Sequence, residues 1–297
     1  MRKRILAGLI VLFSQILHAQ VEPVSFDYSP TSDVLARVVD SQAFENGTSL
    51  EKRVVVGFDS KVPFFLIKPK ISSNKFIILL HGMTYSKDNW IFPLTDLSQK
   101  FVRLKDSLLA IGYNVIIPDA KYHGERSYEA DFASPVSFFS SNDKEKVYNM
   151  LSISVKDIRV ILDHTQSEFG SDSTTFDVIG YSMGGMITIL LNSVENRLNR
   201  VVVCVPPLDM QKVSERIGMS SDIARILAGI SPSHFANLQK SPLTMLLGRN
   251  DPWYTEQEVQ DFFDEISIED KSLKFYSAGH DLPESFISDS IRGILNE

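Results

Sequence analysis

Gly180-Tyr181-Ser182-Met183-Gly184 decides the reading of this chain. Ahead of it, Thr175-Phe176-Asp177-Val178-Ile179 has the composition of a short buried strand. Behind it, Gly185-Met186-Ile187-Thr188-Ile189-Leu190-Leu191-Asn192 has that of an apolar helix. A strand, a tight turn and a helix put Ser182 at the tip of a sharp, strained corner, with its hydroxyl exposed above a sheet. Glycine suits positions 180 and 184 because side chains there would collide with the neighbouring strand and helix. A serine hydroxyl is a poor nucleophile unaided, so a base and an anion-stabilising site must lie nearby. Alone, the pentapeptide is a weak signal, since glycine-serine patterns also arise by chance in loops.

The partners give it weight. In sites of this type the acid and then the histidine follow the serine along the chain. Pro242-Leu243-Thr244-Met245-Leu246-Leu247 reads as an apolar strand that runs into Gly248-Arg249-Asn250-Asp251-Pro252-Trp253, a polar turn carrying Asp251. Ser272-Leu273-Lys274-Phe275-Tyr276 reads as a further strand, and Ser277-Ala278-Gly279-His280-Asp281 puts His280 on the loop beyond its end. Asp209, just past the strand candidate Val201-Val205, is the rival acid, and Asp251 is favoured on motif quality. Asp281 adjoins His280 in sequence, where a neighbour can seldom reach the ring nitrogen it must hold. An oxyanion site needs two backbone N–H groups aimed at one point. Met183 supplies the first. Met83 is expected to supply the second, with Thr84 as the fallback, because Lys75-Phe76-Ile77-Ile78-Leu79-Leu80 is a strand running into His81-Gly82-Met83-Thr84.

The chain has 297 residues, ordinary globular composition and a formal charge of −7. Arg2, Lys3 and Arg4 are the charged residues of positions 1–19, so the rest is more acidic still. An acidic chain without a basic run argues against nucleic acid and anionic membrane surfaces as partners. The same three basic residues, the mostly apolar run from Ile5 to Leu17 and the small Ala19 before Gln20 form the pattern of a secretory signal peptide over 1–19. Leu17 is an imperfect residue for the −3 position. The apolar run is shorter than the ~20 residues of a spanning helix, so no stable membrane anchor is expected after cleavage. Export to a periplasmic or extracellular location follows. Cys204, the one cysteine, lies in Arg200-Val201-Val202-Val203-Cys204-Val205 and reads as a small core residue.

No repeat or low-complexity tract interrupts residues 20–297, which read as one α/β domain. Lys52-Phe58 and Val62-Ile67 look like an opening antiparallel pair. Strand and helix candidates then alternate, making about eight strands in a mostly parallel sheet with helices on both faces. Two stretches break the alternation. One is the aromatic-rich 125–146. The other is about 207–241, read as a short cap inserted over the site, because ligands bind beyond the carboxyl ends of such strands. His81 and His123 are expected to shape loops around the site. No metal-ligand spacing is present, and neither a metal nor a cofactor is expected.

Residues 52–295 resemble the α/β-hydrolase superfamily, and more narrowly the serine esterases of the dienelactone hydrolase and prolyl-oligopeptidase-like branch. The resemblance rests on His81-Gly82, on Pro118-Asp119-Ala120-Lys121-Tyr122-His123-Gly124-Glu125-Arg126, on Gly180-Tyr181-Ser182-Met183-Gly184-Gly185, and on Asp251 and His280. It implies Ser182 as nucleophile, His280 as base, Asp251 as its orienting acid, and Met83 with Met183 as oxyanion donors. Dienelactone hydrolases proper use a cysteine nucleophile where this chain has serine, and there is no room for the propeller of prolyl oligopeptidases. The expected activity is hydrolysis of a small-molecule carboxylic ester with a small or medium acyl group, through an acyl-enzyme. The alternatives are a serine peptidase or amidase on the same scaffold, and a non-catalytic binding protein of hydrolase fold. Oligomeric state is not legible.

Overall fold

The computed structural model describes residues 25–29, 34–71, 73–171 and 173–297; the signal-peptide expectation, on residues 1–19, lies outside them. Nine strands form one sheet: β1 (Ala36–Ala43), β2 (Ser49–Val56), β3 (Lys61–Lys68), β4 (Lys75–Leu80), β5 (Asn114–Pro118), β6 (Thr175–Tyr181), β7 (Leu198–Cys204), β8 (Leu243–Gly248) and β9 (Lys271–Tyr276). Their spatial order is β1-β2-β3-β5-β4-β6-β7-β8-β9. The pairings β1–β2, β2–β3 and β3–β5 are antiparallel, and all pairings from β5 to β9 are parallel.

The helices are α1 (Asp96–Ala110), α2 (Ser137–Ser140), α3 (Lys144–Phe169), α4 (Met183–Val194), α5 (Met210–Arg216), α6 (Ser221–Gly229), α7 (Glu256–Glu265) and α8 (Phe286–Leu295). Alternate residues of the central strands divide between two cores, as the pleat of a strand requires. Phe76, Ile78 and Leu80 of β4, with Val201 and Val203 of β7, pack in the core that contains α3, α4 and α7. Ile77 and Leu79, with Val202 and Cys204, pack against α1 and α8 on the other face. A sheet buried on both faces explains why these strands read as continuous apolar runs. Cys204 is fully buried, and burial pushes its thiol up to about 12.

The sheet has nine strands where about eight were expected. The extra one is β1, an edge strand exposed along almost its whole length. Its sequence carries no inside-outside alternation, so pairing to β2 creates it and local pattern cannot show it. The aromatic-rich 125–146 stretch contains a 3₁₀ turn (Gly124–Ala130), α2 and the first turn of α3. Between β7 and β8, the stretch read as a cap holds α5, α6 and a 3₁₀ turn (Pro232–Leu238).

Candidate active site

Ser182 sits between β6 and α4 with φ +55° and ψ −117°, a backbone conformation that L-residues seldom adopt. The glycines allow this corner to close. A Cβ on Gly180 would run into Gly184 O and Thr188 Oγ1, and one on Gly184 would run into Leu80 O at the end of β4. The corner is further pinned by Ser182 N–H donating to Cys204 O at 2.8 Å. Strain at the tip is thus held in place by strands on both sides.

Asp251 follows β8 and His280 follows β9, so parallel neighbours deliver both side chains to the same end of the sheet. Ser182 Oγ lies 2.8 Å from His280 Nε2, and His280 Nδ1 lies 2.7 Å from Asp251 Oδ2. The second Asp251 oxygen accepts the Trp253 N–H at 2.9 Å, which orients the carboxylate. Asp251 is buried while the His280 side chain stays partly open to solvent. The rival acid is elsewhere: Asp209 caps α5 by accepting the Lys212 N–H at 3.1 Å. Asp281 pairs with Lys100 at 2.7 Å.

Met83 and Met183 both border the cavity that contains Ser182 and His280. Among the described residues, neither N–H donates to a protein acceptor. At Met183 this follows from its place as the first residue of α4, where the helix leaves N–H groups unpaired. At Met83 the orientation is set by its neighbours. His81 Nε2 accepts the Ala120 N–H at 3.1 Å, so the proton is on Nδ1, which donates to Gly82 O at 2.9 Å. Tyr85 N–H donates to the same oxygen at 3.1 Å. Because the peptide is planar and trans, fixing the Gly82 carbonyl fixes the Met83 N–H on the opposite side. Burial and the nearby His123 lower the His81 pKa to about 3, which keeps that imidazole neutral. His123 Nε2 holds Met83 O at 2.6 Å.

The run from Pro118 to Arg126 underpins this loop. Asp119 accepts the Lys87 N–H at 2.9 Å, Lys87 Nζ at 3.0 Å and the Glu125 N–H at 3.0 Å, tying the 119–125 loop to the 3₁₀ turn Lys87–Trp90. Arg126 is fully buried and meets Asp157 at 2.8 Å. The run is visible in the sequence, but its bracing contacts to Lys87 and Asp157 are not. Polar side chains in a run that leaves a buried strand were the available signal.

The cavity has a volume of ≈ 340 Å³ and is lined almost wholly by apolar groups, among them Leu97, Phe139, Met186, Pro207 and Trp253. Met210, Val213, Ile217 and Met219 come from the 207–241 stretch. Among the described residues, His280 is the only titratable group on its wall apart from the tyrosines Tyr85 and Tyr181. Phe139 and Trp253 face this cavity, and the neighbouring Phe138 does not. Phe138 instead points inward, buried edge-on against Tyr122 with ring centroids 5.3 Å apart. Adjacent residues of one helical turn face different directions, so only one of the phenylalanine pair reaches the cavity.

The profile of the alpha/beta hydrolase family matches residues 77–284. No curated protein matches the chain. Among solved structures, the Pyrococcus furiosus esterase Pf2001 is similar at 20% identity and a TM-score of 0.61, over 83% of this chain and 92% of that one. Acetyl xylan esterase 1 from Thermoanaerobacterium sp. JW/SL YS485 is similar at 16% identity and a TM-score of 0.65, over 89% and 88%. A cold-adapted esterase from an Arctic intertidal metagenomic library is similar at 16% identity and a TM-score of 0.61, over 84% and 93%. At such identities these likenesses establish the shared fold. The family match spans well over half of the sequence, from the middle of β4 to just past His280, and on that ground the chain belongs to the alpha/beta hydrolase family.

Proposed function

We propose that this chain is an exported serine hydrolase that cleaves carboxylic esters of small or medium acyl groups. The observation that carries the reading is the unbroken Asp251–His280–Ser182 hydrogen-bond chain at the mouth of an apolar cavity. In this reading His280 Nε2 takes the Ser182 proton as Oγ attacks the acyl carbon. Asp251 holds the imidazole tautomer and stabilises the imidazolium that forms. The Met83 and Met183 N–H groups receive the oxyanion. His280 then protonates the departing alcohol. Water, deprotonated by His280, attacks the acyl-enzyme, and Ser182 is regenerated.

The wall of the cavity supports neutral, apolar substrates. Among the described residues it bears no carboxylate to hold an amine and, apart from His280, no basic group to hold a carboxylate. Burying an unpaired charge there is costly, so esters are favoured over peptides with charged flanking groups. The 207–241 stretch is the proposed cap of the site. Export rests on the residue pattern of 1–19; among the described residues, no helix is long and apolar enough to cross a membrane.

The test is a panel of p-nitrophenyl esters, peptide p-nitroanilides and an anionic hemisuccinate ester on purified protein. Neutral esters should be turned over well ahead of both other classes. Anilide turnover equal to that of the esters moves the assignment to a peptidase or amidase.

A further inference from the structure

Tyr181 has no part in the chemistry described above, yet it is the buried side chain that joins the serine corner to the histidine loop. Its hydroxyl donates to His280 O at 2.7 Å and accepts the Leu282 N–H at 3.0 Å. The two contacts bracket Asp281, the residue directly after His280, and so hold the backbone on the C-terminal side of the histidine. Among the described residues, no backbone–backbone hydrogen bond involves residues 279–282. Two other ties hold the loop's backbone: Asn250 N–H donates to Ala278 O at 2.9 Å ahead of His280, and Lys100 Nζ donates to Leu282 O at 2.7 Å, from a side chain that also reaches Asp281.

The phenol is itself immobilised. Its ring is 2% exposed and meets Phe101 and Phe286 edge-on, with centroids 5.1 and 5.8 Å away. Phe101 in turn stacks on Trp90 at 4.5 Å. Burial raises the phenol pKa, so the group stays a neutral hydroxyl able to donate and accept at once.

We infer that Tyr181 is the positioning residue that sets the Ser182–His280 distance. It precedes Ser182 directly, and its hydroxyl holds the backbone of the loop that carries His280. The nucleophile and its base are thereby referenced to one rigid side chain. This rests on the serine-hydrolase reading of the site. A misplacement of about 1 Å in a reacting pair costs on the order of 10²-fold in rate. Without the hydroxyl, the His280 carbonyl and the buried Leu282 N–H lose their partner, and the loop samples positions in which Nε2 no longer meets Oγ.

Tyr181→Phe removes that one oxygen. The readouts are the second-order rate of labelling by a fluorophosphonate probe, normalised to titrated sites, and amide hydrogen exchange across 277–285. The variant should label roughly 10- to 100-fold more slowly, and residues 279–282 should exchange faster. Tyr276→Phe is the control. It loses another buried phenol contact, to Asp289 at 2.5 Å, away from the cavity. It should lower stability and leave the per-site labelling rate within about twofold. Labelling by Tyr181→Phe within twofold of the parent overturns the inference. Exchange in the unmodified protein decides the case even if the variant fails to fold. There the Leu282 amide should be protected well above that of Asp281, and equal exchange of the two overturns the inference as well. If the unmodified protein is not labelled at all, the serine-hydrolase reading fails, while the exchange data still report whether Tyr181 anchors the loop.

Discussion

Lengthening the acyl chain of the substrate probes the cavity directly. An apolar cavity of about 150 Å³ takes a benzene molecule, which has six carbons. The ≈ 340 Å³ next to Ser182 therefore holds roughly a dozen carbons at similar packing, shared between acyl chain and leaving group. From acetate to butyrate, two added methylenes find apolar wall. At ~0.8 kcal/mol each they contribute about 1.6 kcal/mol, or roughly 15-fold in kcat/KM. With a p-nitrophenyl leaving group occupying part of the space, the gain should stop after a few more carbons. A palmitoyl chain exceeds the whole cavity and must leave part of itself in water. The assay is kcat/KM for p-nitrophenyl acetate, butyrate, hexanoate, octanoate and palmitate under soluble, monomeric conditions. The expected profile rises, peaks at a short or medium chain, and falls well before palmitate. A steady rise to palmitate refutes the reasoning and makes the cavity the mouth of a lipid channel.

Three further outcomes are expected. Asp251→Asn should lower the labelling rate by on the order of 10³ to 10⁴, because the wrong imidazole tautomer is favoured; Asp209→Asn, at a residue whose carboxylate caps α5 and pairs with Lys212, should change it little, and the reverse ranking would transfer the orienting role to Asp209. His81 has its pKa lowered to about 3 from an ordinary 6.5, so the unfolded chain takes up a proton that the folded chain refuses. Stability from this group is full above about pH 6.5 and drains as pH falls toward 3, at up to ~1.4 kcal/mol per unit; imidazole resonances of His81 should stay unchanged from pH 8 to 5, and a midpoint above 5 contradicts the buried neutral ring. N-terminal sequencing of protein from its native host should begin near Gln20, and an intact Met1 would reject cleavage.

What was legible in the sequence is what local pattern encodes. Ser182 sits in a pentapeptide whose two glycines answer to close backbone approaches on either side, so the corner announces itself. Asp251 and His280 lie just beyond the ends of strand candidates, one an apolar run and the other alternating, and parallel neighbours bring such ends together. That the three side chains meet within hydrogen-bonding distance follows from these placements. Other features depend on contacts far apart in the chain. β1 is a strand only because β2 pairs with it. Phe138 and Phe139 are adjacent and apolar, yet only tertiary packing decides which one faces the cavity. Tyr181 looked like the variable position of a motif. Its tie to a loop about a hundred residues later has no local signature. The same holds for His81, whose neutral ring orients Met83 only because Ala120 supplies an N–H from another loop.

The central claim is that Ser182 is an activated nucleophile. Its most direct test is fluorophosphonate labelling of the folded protein, followed by mass spectrometry of the adduct, with Ser182→Ala in parallel. The account predicts one adduct per chain, on Ser182, and neither labelling nor ester turnover in the alanine variant at unchanged fold. An adduct on another residue, or substantial turnover by Ser182→Ala, would contradict it.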